Sequence, residues 1–161
     1  MIEGFADGTF RPDSGATRAE FLAMVMRSLN MSLDESATTD FTDIPADGVW
    51  MKKYLAKAKQ LGIVKGQTIN GKLVFRPNDS ITRAEAISIL LKAANITTSL
   101  SATTDFTDIP AEGGWMVPYI AKAKERGIIN GQTIGGKLVF RPNDSISRAE
   151  VAKIIVKTLH F

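Results

Sequence analysis

The stretch FRPNDSITRAE, at residues 75–85, decides the fold because the chain repeats it. It returns as FRPNDSISRAE at residues 140–150, and a looser copy, FRPDSGATRAE, occupies residues 10–20. The copies begin 65 residues apart. A period of this length is typical of a supersecondary unit that buries its apolar face only against copies of itself. The chain is therefore expected to be an array of units around a shared core.

The repetition extends well beyond this phrase. SATTDFTDIPA at residues 36–46 recurs unchanged at residues 101–111, and GKLVFRPNDSI at residues 71–81 recurs unchanged at residues 136–146. The sequence predicts one cooperative domain with three parts: the C-terminal half of a first repeat at 1–33, a second repeat at 34–98 and a third repeat at 99–161.

The first repeat is expected to lack its opening helix. Counted back by one period, its DFTDIP segment and the helix that follows would lie before Met1. We expect either upstream sequence or, through exchange between molecules, another chain to supply that helix.

Each full repeat is predicted to contain two helices joined by a turn or a short extended segment. In the second repeat the first helix begins near Trp50, and Gly62 suits the left-handed residue that commonly ends a helix. The second helix starts at TRAE and carries apolar residues at helical spacing, among them Ile87 and Leu91. The predicted fold class is mainly α, with tandem helix–loop–helix repeats.

The TRAE phrase has the pattern of a capping box. Thr82 precedes the apolar helical run, and Glu85 follows three residues later. In this arrangement the hydroxyl accepts a hydrogen bond from the N3 amide, while the glutamate carboxylate accepts one from the amide of the cap residue. Such a cap contributes about 0.5–2 kcal/mol. Folding alone therefore explains both residues.

The arginine of the same phrase is harder to explain. Arg18, Arg83 and Arg148 occupy the first helical position, where a cation meets the positive end of the helix dipole. One interpretation is an anionic ligand held by free helix N–H groups and the guanidinium fork. The other is a salt bridge to a neighbouring repeat, with Asp43 or Asp108 as candidate partners.

Other charged residues recur in the loops. Asp43 and Asp108 could cap or orient the first helix of their repeats, or could contact a ligand. Arg11, Arg76 and Arg141, in the FRP segments, are secondary candidates for anion binding, and simple surface positions are the alternative.

Aromatic residues and glycines recur as well. Trp50 and Trp115 could belong to the core or could form a wall on which a sugar ring stacks. Gly66 and Gly131 suit turns, and a glycine also allows a ligand to approach the backbone closely.

Composition argues against several classes of protein. The chain has no cysteine, so thiolate metal sites and cysteine nucleophiles are excluded. A net charge of +3 is too small for a nucleic-acid footprint, and no apolar run is long enough for membrane insertion. The one histidine, His160, lies beside the C-terminus, and no hydrolase, metalloprotease or nucleotide-binding motif is present. The sequence therefore predicts no enzyme, no cofactor and no metal.

Taken in order, FTDIP…W, LGIVKG, FRPNDSI and TRAE resemble the repeat of the S-layer homology family. The resemblance implies a pseudo-threefold helical bundle, a spindle with three prongs and grooves between adjacent repeats. It implies non-covalent anchoring of an exported protein to a bacterial cell wall. The implied partner is an anionic secondary cell-wall polysaccharide, often carrying pyruvate ketals, and the TRAE arginine is the family's principal ligand-binding residue.

The predicted ligand-binding residues are Arg18, Arg83, Arg148, Asp43, Asp108, Trp50, Trp115, Gly66 and Gly131, with no catalytic or metal-binding residue. The predicted location is extracellular, at the cell wall. A protein–protein or self-assembly module of a bacterial surface layer is the alternative function.

Overall fold

The computed structural model describes residue 4 and residues 7–159, so His160 lies outside the described residues. The described chain forms five α-helices and two β-hairpins, which confirms the mainly helical prediction. In chain order the elements are α1 (Arg18–Ser28), α2 (Lys52–Gln60), β1 (Gln67–Ile69), β2 (Lys72–Val74), α3 (Arg83–Ala93), α4 (Val117–Glu125), β3 (Gln132–Ile134), β4 (Lys137–Val139) and α5 (Arg148–Leu159). None of these helices is long and apolar enough to cross a membrane.

The helices that start at TRAE form the centre of the molecule. At the start of α1, the Glu20 amide donates to Thr17 Oγ1 over 3.2 Å, and the Thr17 amide donates to Glu20 Oε2 over 2.9 Å. The equivalent pair of bonds starts α3 and α5, so the predicted capping box is confirmed. Behind these caps, side chains such as Phe21 and Leu91 are fully buried in one continuous apolar core.

The first helix of each full repeat packs outside this centre. A short 3₁₀ segment, Ala46–Met51, precedes α2, and Trp50 lies in that segment. The helix ends at Gln60, and Gly62, directly after the cap residue Leu61, has a φ of 69°, the left-handed conformation that the sequence predicts there. Helices α2 and α4 then pack on α1 and α3 respectively.

Three backbone hydrogen bonds close the repeats into a ring. The Ile81 amide donates to Ala16 over 3.1 Å, and the Ile146 amide donates to Ile81 over 3.2 Å. The Ala16 amide completes the circle by donating to Ile146 over 3.2 Å. Each bond joins the residue before one helix cap to its equivalent in another repeat, so the three helices converge about a pseudo-threefold axis.

Asp43 lies in the loop before α2 and makes hydrogen bonds to the FRP segment in the second half of the same repeat. The Asp43 carboxylate accepts the Phe75 amide over 2.9 Å and the Arg76 amide over 2.6 Å. Asp108 holds Phe140 and Arg141 in the same way. The predicted role of these aspartates in capping the first helix is therefore wrong. The loop folds back so that each carboxylate meets the FRP backbone instead.

Candidate ligand-binding grooves between repeats

The amide groups at the TRAE helix starts are already used. The Arg18 and Ala19 amides donate to the Asp79 and Pro77 carbonyls of the next repeat, each over 3.0 Å. The same two bonds recur at α3, and at α5 they return to the first repeat. Together with the capping box, they leave no free amide at N1, N2 or N3 for an anion. The predicted anion site on helix N–H groups is therefore wrong, because the neighbouring repeat supplies the acceptors.

The TRAE arginines join one repeat to the next. Arg18 Nε donates to the Phe75 carbonyl over 3.0 Å, and its guanidinium carbon lies 4.9 Å from the centre of the Phe75 ring. Its Nη1 lies 2.7 Å from Glu85 Oε1 as an ion pair, without the alignment of a directed hydrogen bond. Arg83 makes the equivalent contacts with Phe140 and Glu150, and its Nη1 also donates a hydrogen bond to Glu150 Oε1.

Arg148 closes this set of contacts. Its Nε donates to the Phe10 carbonyl over 3.0 Å, its guanidinium carbon lies 5.2 Å from the Phe10 ring centre, and only 5% of the residue is exposed. The interpretation of these arginines as inter-repeat salt bridges is thus confirmed for Arg18 and Arg83. Their carboxylate partners are the capping-box glutamates, whereas Asp43 and Asp108 are occupied by backbone amides.

Each of these glutamates has two roles. Glu150 Oε2 accepts the Ser147 amide of its own cap, while Oε1 faces Arg83 of the preceding repeat. Burial raises the pKa of Glu150, but the Ser147 amide and the Arg83 guanidinium outweigh it, so the pKa is lowered overall. The carboxylate is therefore ionised at neutral pH and holds both the cap and the arginine.

Two grooves lie beside these contacts. Groove 1 is lined by residues of all three repeats, including Arg18, Lys65, Gly66, Arg76, Glu85, Lys92 and Trp115. Groove 2 lies between the second and third repeats and includes Arg83, Gly131, Arg141, Glu150, Lys153 and Lys157. Each groove has four cationic side chains and one carboxylate among its described lining residues, and aliphatic side chains form part of each floor.

The tryptophans are surface residues. Trp50 is 44% exposed and Trp115 is 50% exposed, so the interpretation of them as core residues is wrong. Both lie in 3₁₀ segments outside the central helices. Trp115 lines groove 1, and Trp50 packs edge-on against Tyr54 with their ring centres 6.2 Å apart.

The recurring glycines are required by packing. Gly66 has a φ of 74°, and a Cβ atom there would lie 2.3 Å from Phe41 Cε1. Gly131 has the same conformation against Phe106. Each glycine directly precedes the first strand of a hairpin, in loop backbone and not in the predicted turn, and each lines one of the grooves described above.

The structure brings together Arg18, Gly66 and Trp115 in groove 1, and Arg83 with Gly131 in groove 2. It also adds residues that sequence reasoning missed. Lys92 and Lys157 are one period apart and line equivalent positions of the two grooves, so the 65-residue spacing was a usable signal. The described part of the chain holds no cluster of histidine, cysteine or acidic residues suited to a metal ion.

Comparison with known proteins gives a consistent result. A model of the S-layer homology domain matches residues 2–22, 40–87 and 105–152. Relatives include an amylopullulanase of Thermoanaerobacterium thermosulfurigenes, 36% identical over 96% of this chain and 8% of its own length. Exoglucanase XynX of Acetivibrio thermocellus is 36% identical over 96% of this chain and 14% of its own length. An S-layer protein of Bacillus licheniformis is 34% identical over 98% of this chain and 17% of its own length. The chain thus spans less than a fifth of each of these relatives.

Proposed function

This chain belongs to the S-layer homology domain family, and from that membership we propose that its grooves bind an anionic secondary cell-wall polysaccharide. The family and its S-layer relatives place the module at the bacterial cell surface, associated with the cell wall. The finer proposal concerns the ligand, which we take to be a glycan that carries carboxylate groups, such as pyruvate ketals.

The relatives support a role in anchoring. An amylopullulanase, an exoglucanase and an S-layer protein share this segment, although their names describe different activities. What these proteins share over this length is the module, and the catalytic parts of the enzymes lie outside it. The module is therefore a non-catalytic, surface-anchoring unit that can be attached to different proteins.

The charge of the grooves is the observation that carries the glycan proposal. Four cationic side chains against one carboxylate leave each groove positive. A carboxylate entering a partly buried, positive cleft gains more than it would at an open surface, because the effective dielectric is lower. In groove 1 the half-exposed indole of Trp115 adds an aromatic side chain on which a sugar ring can stack.

The proposed ligand residues follow from this geometry. The TRAE arginines Arg18 and Arg83 provide positive charge within grooves 1 and 2, and Arg148 is proposed as a ligand residue by its equivalent position in the repeat. Gly66 and Gly131 provide backbone edges at which a sugar can approach closely. Asp43 and Asp108 support ligand binding indirectly, because their carboxylates fix the backbone of Arg76 and Arg141, which line the grooves.

A binding assay with purified sacculi tests the proposal. Sacculi that carry a pyruvylated secondary polymer should retain the protein, and the same sacculi after acid removal of that polymer should not. Retention should also weaken as ionic strength rises, because salt screens the attraction between an anionic polymer and the grooves. Equal retention on stripped sacculi would refute the glycan proposal and would favour a protein or peptidoglycan partner.

A further inference from the structure

We propose that the outer face of α5 is the docking surface for a further helix of the α2 and α4 type, carried by sequence upstream of Met1 in the same polypeptide. The contact is between two parts of the protein, so it does not depend on the proposed glycan. The residues of this surface, which we name the α5 seat, are Ala149, Ala152, Lys153 and Val156.

The exposure of the α5 seat has no counterpart on the other two central helices. Its residues lie three, four and seven positions after Ala149, as on one face of a helix, and Val156 is 51% exposed. The residues one and two periods earlier are all buried: Ala84, Ile87, Ser88 and Leu91 on α3, and Ala19, Leu22, Ala23 and Met26 on α1. The inward face of α5 is buried as it is in α1 and α3, so α5 differs from them on one face only.

On α1 and α3 a helix of the first type covers the equivalent face. Helix α2 packs on α1 and α4 packs on α3, whereas among the described elements neither α2 nor α4 packs on α5 to a comparable extent. Both covering helices bury a large aliphatic residue and an alanine three positions later, Leu55 with Ala58 and Ile120 with Ala123. The α5 seat therefore fits an amphipathic helix with the same pattern. Lys153 lines groove 2 and can keep its ammonium group in water beside such a helix.

The FRP segments indicate that the same polypeptide supplies the helix. The Ala19 amide donates to the Pro77 carbonyl, so the FRP segment that follows α2 is bonded to the start of α1, the helix on which α2 packs. The equivalent bond joins the FRP segment after α4 to the start of α3, on which α4 packs. The Ala149 amide donates to the Pro12 carbonyl, so the first FRP segment is bonded to the start of α5. By the same connection, a helix that precedes the first FRP segment in sequence would pack on α5.

Gly4 shows that the first repeat has the backbone arrangement that follows such a helix. A Cβ atom at Gly4 would lie 2.9 Å from the Thr9 carbonyl oxygen. A Cβ atom at Gly66 would lie 2.9 Å from the Val74 carbonyl oxygen, and Gly131 has the same relation to its own repeat. Gly4 is therefore equivalent to the two glycines that follow α2 and α4, which places the proposed helix a few residues before it.

The sequence of the chain itself provides the test. Residues 101–127, which include α4, are repeated directly before Met1, so that the added helix is as far from Gly4 as α4 is from Gly131. This extension should raise the melting temperature by about 5 °C or more, because the helix covers the exposed α5 seat. It should also slow hydrogen exchange of the α5 amides.

A substitution in the α5 seat locates the effect. Val156→Asp should lower the melting temperature of the 161-residue chain by less than about 2 °C, because the side chain is exposed there. In the extended chain the same carboxylate would be buried, and the melting temperature should fall by about 5 °C or more. Ile134→Asp is the matched control, since Ile134 is 55% exposed in β3, and it should have the same effect in both chains.

Three outcomes would overturn the proposal. The first is an extended chain with an unchanged melting temperature and unchanged exchange in α5. The second is an equal cost of Val156→Asp in both chains, because any stabilisation would then arise away from the α5 seat. The third is self-association of the 161-residue chain that Val156→Asp abolishes, which would assign the α5 seat to a second copy. None of these measurements involves the wall polymer, so they leave the proposed function to its own test.

Discussion

Replacement of Asp43 by alanine should destabilise the protein strongly, although the residue sits in a loop. The carboxylate accepts the Phe75 and Arg76 amides over 2.9 and 2.6 Å, and Phe75 is buried. Hydrogen bonds to a charged group contribute about 1.5–3 kcal/mol each, and an amide left unpaired on burial adds a desolvation cost. Because water can reach the exposed Arg76 amide, we expect a total loss of about 2–4 kcal/mol.

Thermal unfolding followed by circular dichroism measures this loss. For a chain of this size, 1 kcal/mol corresponds to about 2–4 °C, so the melting temperature should fall by roughly 4–16 °C. Asp43→Asn keeps one acceptor oxygen and should recover part of the loss. Asp40→Ala is the matched control, because that exposed carboxylate forms a surface ion pair with the Lys59 side chain and its removal should leave the melting temperature nearly unchanged. A loss for Asp43→Ala no larger than that of the control would refute the claim that this carboxylate anchors the FRP loop.

Three further predictions concern the site and its supports. Because the pKa of Glu150 is lowered in the folded protein, its stabilising effect is present above its ordinary value of 4.5 and is lost as pH falls through the folded value. Glu150→Gln should therefore flatten the acid limb of a stability–pH curve, and an unchanged limb would contradict the pairing with Arg83. Gly66→Ala should cost about 2–4 kcal/mol in chemical denaturation, since its Cβ would meet a ring carbon, whereas Gly62→Ala, with open space around it, should cost about 1 kcal/mol. Trp115→Ala should weaken retention on polymer-bearing sacculi with little change in melting temperature, and a large thermal loss would instead make Trp115 a packing residue.

Local chemistry made part of this structure predictable from sequence. The capping box at Thr82 and Glu85 involves residues three apart, so the pattern of side chains specifies both hydrogen bonds. The same holds for Gly62, where the end of a helix needs a left-handed residue. These features depend on nearest neighbours along the chain, and the 65-residue period shows that they recur.

The partners between repeats were not predictable in the same way. Glu85 has a sufficient role in its own cap, and nothing in its spacing indicates that its second oxygen pairs with Arg18 of another repeat. Likewise, Asp43 meets amides more than thirty positions away because the DFTD loop folds back, which depends on tertiary packing. The exposure of Trp115 could not be predicted from sequence either, since an aromatic residue just before a helix can lie on the buried or on the solvent side of that helix.

The hydrogen-bonded ring through Ala16, Ile81 and Ile146 changes how the molecule should lose its structure. In an open array of repeats, each terminal unit has one neighbour, so unfolding begins at an end and spreads inwards. Among the described residues, each of the three repeat segments contacts the two others, so none of the three is a terminal unit of an open array. Hydrogen exchange of the slowest amides in α1, α3 and α5 should therefore report a single opening event with one common free energy. For a tether under load, such a molecule either holds completely or releases completely.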